Sequence, residues 1–274
     1  MIFDRLAAAI RSDRPVALVT RLDGAGAGAK LLVFADAEFG ELGTSGLTHA
    51  AAQEARALLA VGETAIRTFG EDGEPVGMEV RLFIQAFAPK PNMYIFGAID
   101  FSRAMARIGK YLGYVVSVID ARPIFATKAR IPDADNVIVS WPDEFLAGAP
   151  VDERTALIIL THDVKFDIPL LLVALRTPAG YVGAMGSRRT HANRIAELRR
   201  SGTSEADLGR ISAPIGLDIG ARTPEETAIA IAAEIIAQRE SRRGGRLTEN
   251  DLPVHNARPT AAVAEFAAKL AELL

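Results

Sequence analysis

From Met93 onward, the sequence alternates between short apolar runs and amphipathic helical patterns, and this alternation restricts the fold more than any other feature. The runs are MYIF, VVSVID, NVIVS, ALIILT, GYVGAM and APIGLDI, with helical patterns such as FSRAMARIGKYLG and TPEETAIAIAAEIIAQRE between or after them. Short apolar runs of this kind are typical of strands buried on both faces between crossover helices. The pattern predicts an α/β fold whose main part, residues 91–240, is a Rossmann-like parallel sheet domain of about five or six strands.

The first ninety residues have a different pattern. The β-rich runs RPVALVTRL, AKLLVFAD, ETAIRTF and EVRLFIQAF are separated by the turn sequences DGAGAG and GEDGEPVG, and one helical stretch, THAAAQEARALLA, interrupts them. This order predicts a smaller α+β domain over residues 1–90, ending where Pro89 and Pro91 bracket a linker. Residues 241–274 are predicted to be a polar linker followed by an amphipathic tail helix, TAAVAEFAAKLAELL.

Charge and composition exclude several classes of protein. The net charge of −3 and the pI near 5.9 offer no basic face for nucleic acid. The absence of cysteine excludes disulfides, thiolate metal sites and a cysteine nucleophile. Asp4, Arg5 and Arg11 interrupt any signal-peptide core, and no segment offers about 18 uninterrupted apolar residues. We therefore expect a cytoplasmic protein without a membrane span.

The turn after MYIF is where a dinucleotide-binding fold places its phosphate loop. Gly97 occupies the position of the first fingerprint glycine, but Ile99 and Ser102 occupy the other two, and Asp100 adds a negative charge where phosphates would bind. The turn is therefore predicted to be a poor pyrophosphate site. Asp120 ends VVSVID about twenty residues later, where an acid usually binds ribose hydroxyls. Because spacing of this kind is common by chance, a strand-end cap is the favoured role and a ribose ligand the alternative.

A more promising anion site lies in GYVGAMGSRRTHANR. A predicted strand ends before Gly186, Ser187 is placed to cap the next helix, and Arg188 and Arg189 occupy its first turn. Cations are unfavourable at a helix N-terminus unless an anion is bound there. We therefore interpret this segment as an anion site, with a solvated basic turn as the alternative.

Polar residues also follow the buried run ALIIL, because Thr161, His162 and Asp163 come directly after it. Ligands of parallel sheets bind outside the carboxyl ends of the strands, so these residues are predicted to lie at the functional edge. With Asp167 they suggest a metal, but no second histidine has ligand spacing. Hydrogen bonding at the edge of a cleft is the favoured interpretation.

Three long stretches of the chain closely resemble the XdhC/CoxI family. They are YVGAMGSRRTHANRIAELRRSGTSEADLGRISAPIGLDIGARTPEETAIAIAAEIIAQR, THDVKFDIPLLLVAL and GYVVSVIDARPIFATKARIPDAD. The resemblance implies an XdhC/CoxI-type N-terminal domain before a Rossmann-like domain. It also implies an accessory factor that holds molybdenum cofactor and assists its sulfuration or its insertion into a molybdenum hydroxylase apoenzyme of the xanthine or carbon monoxide dehydrogenase type. Members of this family are commonly homodimers.

The sequence departs from the family pattern at two turns. The family's serine–glycine–glycine–cysteine turn is here Ser45, Gly46, Leu47 and Thr48, so threonine replaces the cysteine. The family's glycine–alanine–glycine–histidine turn is here the segment 97–100, GAID. Two alternatives stay open: an NAD(P)-binding oxidoreductase-like protein, which the second departure opposes, and a docking module that has lost cofactor binding, which both departures favour.

The leading hypothesis is a non-catalytic accessory protein that binds molybdenum cofactor in the cleft of the Rossmann-like domain. No nucleophile–histidine–acid arrangement is evident, because Ser45 and His49 lack the strand–turn–helix context of a hydrolase serine. The residues predicted to line the cleft are Gly97, Asp120, Thr161, His162, Gly186, Ser187, Arg188 and Arg189.

Overall fold

The computed structural model describes residues 1–74, 80–161, 163–249 and 251, which form two compact units, Met1–Pro89 and Lys90–Asp251. The predicted tail helix lies outside the described residues, as does His162. No helix in the described part of the chain combines the length and the apolar character needed to cross a membrane.

The first unit is an antiparallel sheet with one helix on each face. Its helices and strands are α1 Ile2–Arg11, β1 Val16–Arg21, β2 Lys30–Val33, β3 Glu38–Gly40, α2 Ser45–Val61, β4 Ala65–Phe69 and β5 Val80–Phe87. The strands lie in the order β3-β2-β1-β5-β4. The sequence analysis did not predict α1, whose Leu6 and Ala9 pack against Val16, Leu18 and Phe34.

The second unit is a parallel sheet with helices on both faces, as predicted. Its helices and strands are β6 Asn92–Phe96, α3 Asp100–Tyr111, β7 Val115–Asp120, β8 Asn136–Val139, α4 Pro142–Gly148, β9 Ala156–Ile159, α5 Val164–Ala174, β10 Tyr181–Ala184, α6 Arg188–Arg200, α7 Glu205–Leu208, β11 Ile211–Ser212 and α8 Pro224–Arg239, followed by a 3-10 turn at Leu247–Glu249. All five strand pairings are parallel. Helices α3 and α8 cover one face, and α4, α5 and α6 cover the other.

The apolar runs form strands for the reason that the sequence suggested. Every residue of β9 and β10 is buried, as are Met93–Phe96 of β6, because helices exclude water from both faces of the sheet. The last strand was predicted over residues 213–219, but in the structure it is Ile211–Ser212. Pro214 follows this strand, and it has no N–H to donate to a neighbouring strand.

Side-chain caps begin helices α5 and α8 at the carboxyl edge of this sheet. Asp163 accepts a hydrogen bond from the Lys165 N–H at the start of α5. Thr223 and Glu226 form a reciprocal capping box at the start of α8. Because such caps act within one turn of helix, their sequence signals place these helix starts directly.

Candidate functional site

The strand order of the second unit places its switch point between β6 and β9. The order is β11-β10-β9-β6-β7-β8, so the chain builds outward from β6 through β7 and β8 and then returns to the other side through β9. In doubly wound sheets of this order, ligands bind in the crevice at this reversal. Gly97 follows β6 and Thr161 follows β9, so two of the predicted site residues flank the switch point.

The two turns at the switch point approach each other closely. Gly97 has a φ of +99°, and a Cβ at this position would lie 2.9 Å from Cγ2 of Thr161. Glycine is required here for both reasons, because side-chain-bearing residues rarely adopt this φ and a methyl group would clash. Gly97, which suggested a dinucleotide-binding turn, therefore also allows the turns after β6 and β9 to lie in contact.

The backbone of the turn after β6 already has hydrogen-bond partners within the protein. The Ala98 N–H donates to Oδ2 of Asp120 over 2.8 Å, and the Ser102 hydroxyl donates to the carbonyl of Gly97. Asp100 then opens α3 with a negative charge. A pyrophosphate would need the Ala98 amide free, so this hydrogen bond is unfavourable to a phosphate in the turn.

Asp120 is 4% exposed, and four donors satisfy its carboxylate. Besides Ala98, these are the backbone N–H, Nε and Nη2 of Arg122, at 2.9, 2.9 and 2.8 Å. Burial acts to raise the pKa of Asp120, but the hydrogen bonds from Arg122 and Ala98 outweigh it and lower the pKa. A ribose would have to displace Arg122, whose guanidinium also lies 4.5 Å from the ring centroid of Phe125.

A buried ion pair connects the turn after β9 to the turn after β10. Arg194 of α6 donates through Nε and Nη2 to Oδ2 of Asp167 on α5, and through Nη1 to the carbonyl of Met185. The Thr161 hydroxyl donates to the other oxygen of Asp167. Burial raises the pKa of Asp167, while Thr161 and Arg194 oppose that rise. The carboxylate of Asp167 is thus occupied by structural hydrogen bonds. The described residues contain no cluster of three or more acidic or histidine side chains that suits a metal.

Sequence reasoning did not identify Arg194. The sequence did contain a signal for a buried arginine, because Arg194 lies four residues before the buried Leu198 and therefore occupies the apolar face of α6. A charged residue in that position requires a buried partner.

Ser187 caps α6 as predicted, and its hydroxyl accepts a hydrogen bond from the Thr190 N–H over 3.1 Å. Arg188 and Arg189 are exposed in the first turn, and neither guanidinium has an ion-pair partner among the described residues. Gly186 precedes them with a φ of +146°, and a Cβ at this position would lie only 3.1 Å from Nη1 of Arg194, so both features favour glycine.

His191 lies one turn into α6. Its Nδ1 is buried and has no hydrogen-bond partner within the described residues. Burial and the charge of Arg194 lower the pKa of His191, so its ring is neutral near pH 7.

The predicted residues thus fall into two linked groups. Gly97, Asp120 and Thr161 line one cleft at the switch point, together with Ala121, Arg122, Pro142 and Phe166. The cleft has an accessible volume of only about 10 Å³, far less than the roughly 300–1,000 Å³ of typical ligand pockets. Gly186, Ser187, Arg188 and Arg189 lie around the start of α6, which the Arg194–Asp167–Thr161 network joins to the cleft.

In the first unit, hydrogen bonds at the start of α2 hold Thr48, the residue that stands where the family resemblance implied a cysteine. The Thr48 hydroxyl accepts from the Leu42 N–H over 3.1 Å and donates to the carbonyl of Thr44 over 2.8 Å. Thr44 caps the helix by accepting from the Leu47 N–H. A thiol is a weak donor and a weak acceptor, so the hydroxyl holds this turn more firmly than a cysteine would.

Comparison with known proteins agrees with this architecture. The model of the XdhC Rossmann domain matches residues 93–235, and that of the XdhC and CoxI family matches residues 9–70. A solved structure described as a xanthine dehydrogenase from Bacillus halodurans aligns with a TM-score of 0.62 and 25% identity, over 86% of this chain and 66% of that chain.

Two curated relatives align over more than half of the chain. A protein of Bacillus subtilis (strain 168), described as a probable xanthine dehydrogenase subunit, is 31% identical over 159 residues, which are 58% of this chain and 46% of that protein. The molybdenum cofactor insertion chaperone PaoD of Escherichia coli (strain K12) is 28% identical over 163 residues, 60% of this chain and 45% of that protein. The chain therefore spans less than half the length of either relative. Because the matched Rossmann domain alone covers more than half of the 274 residues, the chain belongs to the XdhC and CoxI family.

Proposed function

We propose that this protein is an accessory factor of a molybdenum hydroxylase, and that it binds molybdenum cofactor and assists its sulfuration or its insertion into the apoenzyme. The names of two relatives, a molybdenum cofactor insertion chaperone and a xanthine dehydrogenase subunit, support this role. A homodimeric state and a cytoplasmic location stay predictions from the sequence.

The observation that carries the proposal is the start of α6. Molybdenum cofactor carries a pterin and a terminal phosphate, and a phosphate needs backbone N–H donors and cations. The first turn of α6 provides both, because Arg188 and Arg189 project from a helix N-terminus without an anionic partner among the described residues. Arg194 holds the preceding turn in position through the Met185 carbonyl. These donors fit the phosphate end of the cofactor.

In this proposal, the chain itself only binds the cofactor and presents it to the apoenzyme. Because it contains no cysteine, no thiol of these 274 residues carries sulfur to the metal. In the proposed role the sulfur comes from a separate donor, while this protein holds the cofactor by its phosphate and leaves the molybdenum end accessible.

The test is cofactor binding by a double variant, Arg188→Gln with Arg189→Gln. Loss of two charge-assisted hydrogen bonds of about 1.5–3 kcal/mol each should weaken binding by more than about 100-fold. The matched control is Arg199→Gln with Arg200→Gln, which removes the same charge from the other end of α6. Small molecules released from each purified variant are measured by mass spectrometry. Equal retention by both double variants would contradict the assignment of the phosphate site.

Binding of NAD(P) is a second candidate, because the strand order is that of classic dinucleotide-binding domains. The occupied Ala98 amide and the Arg122–Asp120 pair oppose it. Calorimetric titration with both nicotinamide dinucleotides distinguishes the candidates, since tight binding would favour the dehydrogenase-like interpretation.

A further inference from the structure

An aromatic pair lies at the carboxyl edge of the parallel sheet, beside the switch-point cleft. Trp141, the only tryptophan of the chain, follows β8 and precedes α4, and Phe166 lies in the first turn of α5. Their ring centroids are 5.3 Å apart and the ring planes are inclined by 36°. Tryptophan is usually well buried, yet Trp141 is 42% exposed at the edge where ligands of this fold bind.

One cation lies over the tryptophan ring of this pair. The ammonium of Lys165 lies 5.4 Å from the centroid of the Trp141 ring, and it has no ion-pair partner in the described ranges. The backbone of Lys165 is fixed because its N–H donates to Asp163. Its exposed four-carbon side chain can therefore leave the ring without disturbing α5.

The aromatic pair adjoins the switch-point cleft. Phe166 lines that cleft, as do Pro142 and Arg122. Asp143 and Glu144 follow in the first turn of α4, so this end of the edge disfavours a phosphate. Carboxylates do accept hydrogen bonds from amino and ring N–H groups, which a 2-amino-4-oxo heterocycle carries on one edge.

We propose that Trp141 and Phe166 form a stacking platform for a flat, fused 2-amino-4-oxo heterocycle, the chemistry shared by a pterin and a guanine. Lys165 moves from the Trp141 ring as the heterocycle stacks in an offset arrangement. The inference rests on the proposed function, because it assigns the pterin end of the cofactor to the platform and leaves the phosphate end at the start of α6.

The single tryptophan makes the proposal directly measurable. Its emission is recorded while the full chain is titrated with free pterin, with guanosine monophosphate and with inorganic phosphate in separate experiments. Saturable quenching by pterin or by guanosine monophosphate supports the platform, and the tighter of the two identifies the source of the ring. Quenching by phosphate alone, or by none of the three, overturns it.

Variants then separate stacking from folding, with binding measured by calorimetry. Trp141→Leu should weaken binding of the ring about 5- to 150-fold, since stacking on an aromatic side chain is worth roughly 1–3 kcal/mol per base. Trp141→Phe should restore most of the affinity. Tyr111→Leu is the control, because Tyr111 is 88% exposed but ends α3 at the opposite edge of the sheet.

Unchanged affinity in a folded Trp141→Leu variant, verified by circular dichroism, would refute the platform alone, even if the wild-type chain retains molybdenum cofactor. Failure of the wild-type chain to bind molybdenum cofactor would instead refute the proposed function.

Discussion

The buried pair of Arg194 and Asp167 joins α6 to α5 in the second unit. Their side chains are 1% and 0% exposed. Arg194→Met removes both hydrogen bonds to Asp167 and the one to the Met185 carbonyl, and it leaves the carboxylate with the Thr161 hydroxyl as its remaining partner. Removing one partner of a buried ion pair costs about 3–5 kcal/mol of unfolding free energy. That is a large part of the roughly 5–15 kcal/mol that stabilises a typical domain.

Urea unfolding of the full chain measures this cost. The fluorescence of Trp141 reports the second unit selectively, because the chain has no other tryptophan. Arg199→Met on the same helix is the control, since its partner Glu205 is exposed and little change is expected.

A double-mutant cycle tests the reasoning itself. Arg194→Met with Asp167→Leu removes both charges together, so no buried charge is left without its partner. The double variant should be more stable than the sum of the single losses predicts, by about 2–3 kcal/mol. Additive losses, or a single Arg194→Met loss as small as that of the Arg199→Met control, would refute the view that the two side chains stabilise each other.

Three further predictions concern the same edge of the sheet. Gly97→Ala should lower the melting temperature more than Gly113→Ala, because both glycines have positive φ but only Gly97 would place its Cβ against a neighbour; equal losses would contradict the clash. Arg122→Gln should move acid unfolding to higher pH, because the lowered pKa of Asp120 supplies stability that is complete above about pH 4 and is lost below it. Stability should also fall between about pH 7.5 and about pH 5.5, since the unfolded chain protonates His191 and the folded chain resists it. His191→Gln should flatten that fall, and thermal melts across the range measure it.

The two parts of the proposed cofactor site, the start of α6 and the aromatic platform, are positioned by different kinds of contact. At the start of α6, a cap within the same helix positions the basic turn. At the platform, two helices that follow different strands bring Trp141 and Phe166 together. Substitutions at the α6 turn should therefore alter phosphate binding alone, whereas changes in the packing of α4 on α5 should alter binding of the ring.

Much of this protein was determined by local sequence patterns. The alternation of apolar runs and helical patterns predicted the parallel sheet, because burial on both faces requires apolar strands wherever helices cover them. Ser187 and Thr223 marked helix starts, because a cap acts within three residues of its own position. The motifs that identified the family are likewise continuous stretches of chain.

The tertiary structure alone decided what those residues contact. Strand order placed Gly97 against Thr161, which lies 64 positions later in the chain, so that a Cβ at residue 97 would clash. Asp120 was predicted as a ribose ligand or a strand cap. In the folded protein its carboxylate accepts hydrogen bonds from Ala98, 22 residues away, and from Arg122. Hydrophobic periodicity and caps record a residue's immediate surroundings, whereas ion pairs and clefts depend on which distant segments the sheet brings together.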